Sequence, residues 1–152
     1  MLRWLVSRLG RALFALARSP IGGRLARRWF PALCRWLPVR RLCETETLLA
    51  FHHPRPSYPV HILLVPKAAP AGLEALQGDE MALYADMIAA VQRLVRELDL
   101  APHGYRLIIN GGVYQEVPIL HAHLISQAPA AGARFAAERR VDYNARDDKH
   151  RA

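Results

Sequence analysis

Two histidines stand two residues apart in an otherwise apolar segment, Ile119-Leu120-His121-Ala122-His123-Leu124-Ile125. An imidazole can attack an electrophile, relay a proton or ligate a metal near neutral pH, so the pair is equipped for chemistry. If the segment is a strand, residues i and i+2 point the same way. Both imidazoles then share one face, and Leu120, Ala122 and Leu124 take the other. Alone, the pair fits incidental, hydrogen-bonded histidines equally well. His61, inside Val60-His61-Ile62-Leu63-Leu64-Val65, is a third candidate and reads equally as a core histidine bonded to backbone. Cys34 and Cys43 form no paired metal signature and no disulfide framework, and they read as small buried apolar residues. Gly111-Gly112 lacks the flanking spacing and following helix of a phosphate-binding loop.

The elements that must position these imidazoles follow from periodicity. Short apolar runs over 47–52 and 60–65 predict buried strands, and the proline-rich stretch from His53 to Pro59 between them predicts a rigid extended loop. A short helical turn is expected over 72–76. Asp79 is placed to cap a long helix reaching about Leu98, on which Met81, Tyr84, Met87, Ile88, Val91, Leu94, Val95 and Leu98 recur at helical spacing. Further strands are expected over 105–110 and 119–125, and a disordered tail over 128–152. Met81, Met87 and Ile88 exceed one core-facing arc, which predicts a homodimer.

These segments resemble the histidine triad (HIT) superfamily of nucleotidyl hydrolases and transferases. The resemblance covers roughly 37–127. It is carried by Leu37-Pro38-Val39-Arg40-Arg41, Glu44, Leu49-Ala50-Phe51-His52, Pro59-Val60-His61-Ile62-Leu63-Leu64-Val65-Pro66-Lys67, Tyr105-Arg106-Leu107-Ile108-Ile109-Asn110, Gly112, and Gln115-Glu116-Val117-Pro118-Ile119-Leu120-His121-Ala122-His123-Leu124. It implies an α+β fold, an antiparallel sheet of about five strands with one long helix, and pairing as a homodimer. It also implies attack by the middle imidazole of three on the α-phosphorus of a nucleoside phosphoramidate or nucleotidyl ester, with neither cofactor nor metal. Two alignments are open. Keeping the Gln115 and Val117 positions makes His121 the nucleophile and His123 the third histidine, with Ile119 replacing the first. An ungapped count from Asn110 makes His123 the nucleophile and Ile125 the missing third.

The resemblance assigns His121, His123 and His61 to catalysis and its supporting network, and Asn110, Gln115, His53 and Phe51 to substrate binding. Three positions depart from the pattern. Ile119 removes an imidazole, and His53 stands where an acidic residue usually grips ribose hydroxyls. Glu116 stands where a small hydroxyl residue often meets phosphate, and a carboxylate there repels it unless protonated or turned away. An altered hydrolase and a non-catalytic nucleotide-binding or phosphometabolite-binding module are both consistent with this set.

The charge belongs to a separate region. The 152 residues carry a formal net charge of +8 and are 52% hydrophobic, enough for a core of their own. Residues 1–43 hold ten arginines and no acid, leaving 11 basic against 13 acidic side chains over 44–152. A basic arm over 1–36 therefore precedes a near-neutral domain. Leu2, Leu5, Val6, Leu9, Leu13 and Leu16 share one helical arc opposite Arg3, Arg8, Arg11 and Arg18. The stretch from Ser19 to Gly23 is expected to break that helix, and Leu25, Trp29, Leu33 and Trp36 form a second apolar arc, bent or shortened at Pro31. Arginine interrupts every apolar run well short of the ~20 residues a membrane span needs. The arm is expected to lie at an anionic membrane surface of a cytoplasmic protein, with tryptophan at the interface. Packing against the domain or a sister subunit and an organellar leader are the alternatives. Nucleic acid is the least expected partner, because no groove-reading or base-stacking motif accompanies the arginines.

Overall fold

A computed structural model describes residues 12, 15–39, 41–78 and 80–128. Most of the first arm helix, the Asp79 cap and the tail beyond Ala128 lie outside the described residues. The elements are α1 (Pro20–Leu33), β1 (Arg41–Glu44), β2 (Leu48–His52), β3 (Val60–Pro66), α2 (Met81–Glu97), β4 (Arg106–Ile109) and β5 (Ala122–Ser126). Short 3-10 turns at Cys34–Trp36, Leu73–Ala75, Ala101–His103 and Gly112–Tyr114 connect them. The strands form one sheet in the order β1-β2-β3-β5-β4, with every neighbouring pair antiparallel.

Alternation along the strands makes two cores. Leu48 and Ala50 of β2, Ile62 and Leu64 of β3, and Ala122 and Leu124 of β5 face α2, meeting Met87, Val91, Leu94 and Leu98. Met87 is buried in this core, which corrects its assignment to a surplus apolar face. Met81 and Ile88 do stay exposed, at 68% and 50%. Leu49, Phe51, Leu63 and Val65 point the other way and cluster with Val117 and Ile119. Ala17, Ala26, Phe30 and Val39 pack against this second cluster, so α1 covers part of the sheet face opposite α2.

The seating of α1 differs from the sequence expectation. Ser19 is its N-cap: the hydroxyl accepts from the Gly22 N–H at 3.1 Å, and Pro20 occupies the first turn, where its missing N–H costs nothing. The Ser19–Gly23 stretch therefore starts a helix as well as ending one. Its glycines are buried contact points. A Cβ on Gly23 would lie 2.5 Å from Pro118 Cγ, so only glycine allows this approach. The face toward the sheet thus runs through Gly23, Ala26 and Phe30, while Leu25 and Trp29 of the expected arc are about half exposed and Trp36 is more so.

β1 is the strand that the residue pattern does not predict. It has four residues at the sheet edge, with Arg41 paired to Glu44 at 2.8 Å and Glu44 to Lys67 at 3.0 Å. β5 begins at Ala122, later than the predicted 119, because the preceding residues bond elsewhere. Ile119 N–H donates to Val117 O, and Leu120 N–H donates to Pro70 O. No helix among the described residues is long and apolar enough to cross a membrane.

Candidate functional site

The pairing of β3 with β5 sets Leu63 opposite His123 and His61 opposite Ile125. His61 and His123 are therefore diagonal neighbours on the face away from α2, and His121 precedes β5 on the same side. β4 sets Ile109 opposite Ala122, which places Asn110 at the end of the strand beside the histidine strand. The loop after β2 turns back so that His53 N–H donates to His61 O at 2.9 Å. This stacks the His53 ring on His61, with centroids 4.1 Å apart and planes 15° from parallel. His61 and His123 centroids are 5.2 Å apart, and those of His121 and His123 are 4.8 Å apart.

Backbone groups fix the tautomers, read from donor and acceptor complementarity. Ser57 N–H donates to His61 Nδ1 at 3.1 Å, and Arg55 N–H donates to His53 Nδ1 at 3.0 Å. Each neutral ring then carries its hydrogen on Nε2. His61 Nε2–H donates to His123 Nδ1 at 2.9 Å, so His123 also carries its hydrogen on Nε2. That nitrogen is buried and has no hydrogen-bond partner among the described residues. His121 has the opposite tautomer. Its Nδ1–H donates to the Ile119 carbonyl at 2.6 Å, leaving a lone pair on Nε2.

Burial keeps these imidazoles neutral. His53, His61 and His123 are each pushed down to about 4, chiefly by loss of hydration, helped at His53 by His123, at His61 by His53, and at His123 by His121 and then His61. Burial also lowers His121, while the Ile119 carbonyl and the Glu116 carboxylate pull it back up. Glu116 itself is turned to the arm, where Arg18 pairs with it at 2.9 Å.

Ligand atoms of His53, His61 and His123 lie within 4.8 Å of one another, a set that by residue type suits a divalent ion. The second shell argues otherwise. A metal-ligating imidazole donates its remote N–H to an acceptor, whereas the remote nitrogens of His53 and His61 accept backbone N–H groups. The cluster presents hydrogens to an anion more readily than lone pairs to a cation.

Beside His121 lies a cavity of about 430 Å³ between α1 and the sheet, lined in part by Leu25, Trp29, Phe30, Phe51 and Ile119. Phe51 is one of its lining side chains. Gln115 has another employment: its amide nitrogen donates to Ala71 O at 2.5 Å and Val117 O at 3.0 Å, bracing the loop before the histidines. The backbone groups of Arg55 and Ser57 and the α1 wall were not among the sequence candidates, and no residue-type signal marks them.

Comparison with known proteins agrees with this geometry. The HIT domain family model matches residues 37–130. An uncharacterised HIT-like protein of Azospirillum brasilense is 37% identical over 93 residues, 59% of this chain and 76% of that protein. Among solved structures, a HIT family hydrolase from Legionella pneumophila superposes with a TM-score of 0.59 at 29% identity, covering 64% of this chain and 88% of its own. A histidine triad nucleotide-binding protein from Candida albicans gives 0.56 at 27% identity, covering 64% and 72%. With the five-stranded antiparallel sheet, the helix α2 behind it and the alternating histidines on its other face, the chain belongs to the HIT domain family.

Proposed function

We propose that the protein is a nucleotide phosphoramidate or nucleotidyl-ester hydrolase or transferase that works through a nucleotidyl-histidine at His121. The observation that carries this reading is the His121 Nδ1–H bond to Ile119 O, because it leaves an unprotonated Nε2 as the attacking atom. His123 suits that role poorly, since its Nδ1 is occupied by His61 and its Nε2 carries hydrogen. In the first step the His121 Nε2–P bond forms and the bond from phosphorus to the leaving nitrogen or oxygen breaks, the leaving group taking a proton from solvent. Water then attacks phosphorus and gives up a proton to solvent, the N–P bond breaks, and Nε2 regains its lone pair. The Nε2–H of His123, held in place by the His61 Nε2–H bond to its Nδ1, supplies a neutral donor near the developing charge, and Asn110 is a further phosphate contact at the neighbouring strand end.

A non-catalytic binding module of the same fold is the second reading, favoured by the isoleucine at position 119 and by His53. Turnover of adenosine phosphoramidate decides between them. The wild type is expected to hydrolyse it and His121→Ala to lose at least a thousandfold, whereas equal background rates would support the binding module. Ile119→His is expected to raise the rate by restoring an imidazole beside His121.

The chain is further proposed to pair as a homodimer through its exposed Met81 and Ile88, and to associate peripherally with anionic membranes through the arm over 1–36. Exposed Leu25, Trp29 and Trp36 next to Arg24, Arg27 and Arg28 support the membrane reading. Flotation of the full chain with phosphatidylserine vesicles, weakened but not abolished by salt, is the expected result.

A further inference from the structure

We infer that the cavity beside His121 also takes phosphates carrying an aliphatic chain, held with the phosphate at the imidazoles and the chain along the apolar walls toward the mouth. This rests on the proposed role of His121 only for the orientation of the phosphate. The cavity's volume, about 430 Å³, lies in the range of small-molecule sites. Its walls are the observation of interest. Leu25, Trp29 and Phe30 come from α1 and Phe51, Leu63 and Val65 from the sheet, and His121 is the only titratable side chain among the lining residues. Ile119 extends the apolar wall up to that histidine. The polar edge of a purine or pyrimidine would find few partners in such a space, whereas a hydrocarbon chain needs none.

The two ends of the cavity match the two ends of such a ligand. At the inner end, His121 is flanked by His123, whose buried Nε2–H has no hydrogen-bond partner among the described residues, so an anion meets a neutral donor. At the outer end, Leu25, Trp29 and Trp36 are wall residues and solvent-exposed at 53%, 54% and 76%. The mouth is therefore an apolar rim set among the arginines of α1, able to receive a chain and attract an anion together. Leu16, also a wall residue and 60% exposed, continues that rim.

The test is binding to the full chain, followed by isothermal titration or tryptophan fluorescence, with inorganic phosphate, butyl, hexyl and octyl phosphate below micellar concentration, and adenosine monophosphate. Affinity is expected to rise roughly fourfold per added methylene until the chain fills the cavity, with octyl phosphate displacing adenosine monophosphate competitively. Ala26→Leu and Ala17→Leu, which narrow the space from the α1 side, should each flatten the chain-length dependence. If either variant fails to fold, the wild-type series still decides. Equal affinities from butyl to octyl phosphate, or chain-length dependence without competition against adenosine monophosphate, would overturn the inference. A nucleotidyl-histidine with flat alkyl phosphate affinities leaves the proposed function standing and removes this one. Chain-dependent competitive binding without any histidine adduct does the reverse.

Discussion

The two faces of the sheet are made by the same strands and do different work. Toward α2, Leu64, Leu94, Leu100 and Leu124 are completely enclosed, and branched aliphatic side chains fill the layer. Toward α1, Phe51, Leu63 and Val65 of the strands are joined by four imidazoles, two on strands and two on the adjoining segments, and the covering helix presents Gly23 and Ala26 beside Phe30. Large side chains on both partners close an interface. Small ones on the helix bring its backbone close at Gly23 and leave room beside it, and the room adjoins the histidines. The second face thus encloses a cavity beside the histidines, while the first is closed by its packing.

Core truncation should expose this difference most strongly. Leu94→Ala, in the sealed face, is expected to cost about 3–5 kcal/mol of unfolding free energy, and Leu63→Ala, whose side chain already borders the cavity, about 2 kcal/mol. Urea titration of both variants checks it. Equal losses would mean that the two faces are packed alike.

Acid separates the faces next, because the depressed imidazoles sit on the α1 side only. The unfolded chain takes up protons as pH falls through 6.5, whereas folded His53, His61 and His123 resist until about 4. Their contribution to stability is therefore complete above 6.5 and lost between 6.5 and 4. Thermal midpoints should fall by several degrees across that window, and His53→Asn should reduce the fall.

The seat of α1 gives a smaller effect. Gly23→Val places its Cβ against Pro118 and should cost about 1–2 kcal/mol. Hydrogen exchange should quicken in α1 and stay slow in α2, and uniform acceleration would show that the helix is integral to the whole fold. Arg18→Ala is the smallest change. Its pairing with Glu116 is solvent-exposed, so its removal should cost under about 1 kcal/mol and less in high salt.

Most of the sealed face was legible in the sequence. The helical recurrence of Met87, Val91, Leu94, Val95 and Leu98 and the apolar runs of β2 and β3 are burial patterns, and burial is what periodicity encodes. β1 was not, because a four-residue edge strand held by Arg41, Glu44 and Lys67 has too little apolar pattern to register. The arm was read from its large residues, Leu25 and Trp29, but close helix packing is decided by small ones, and Gly22 and Gly23 looked like a break. In the site, the shared face of His121 and His123 followed from alternation. The bond between His61 and His123 spans 62 residues, and only strand register brings them together. The tautomers depend on backbone N–H groups of Arg55 and Ser57, which no side-chain pattern reveals.

The claim that His121 is the nucleophile is tested most directly by trapping its adduct. The full chain is mixed briefly with adenosine phosphoramidate, quenched, digested, and read by peptide mass mapping. The account predicts a mass increase equal to an adenylyl group on His121, absent in His121→Ala and retained in His123→Gln. An adduct on His123, or an unmodified chain under conditions where the phosphoramidate is consumed, would contradict it.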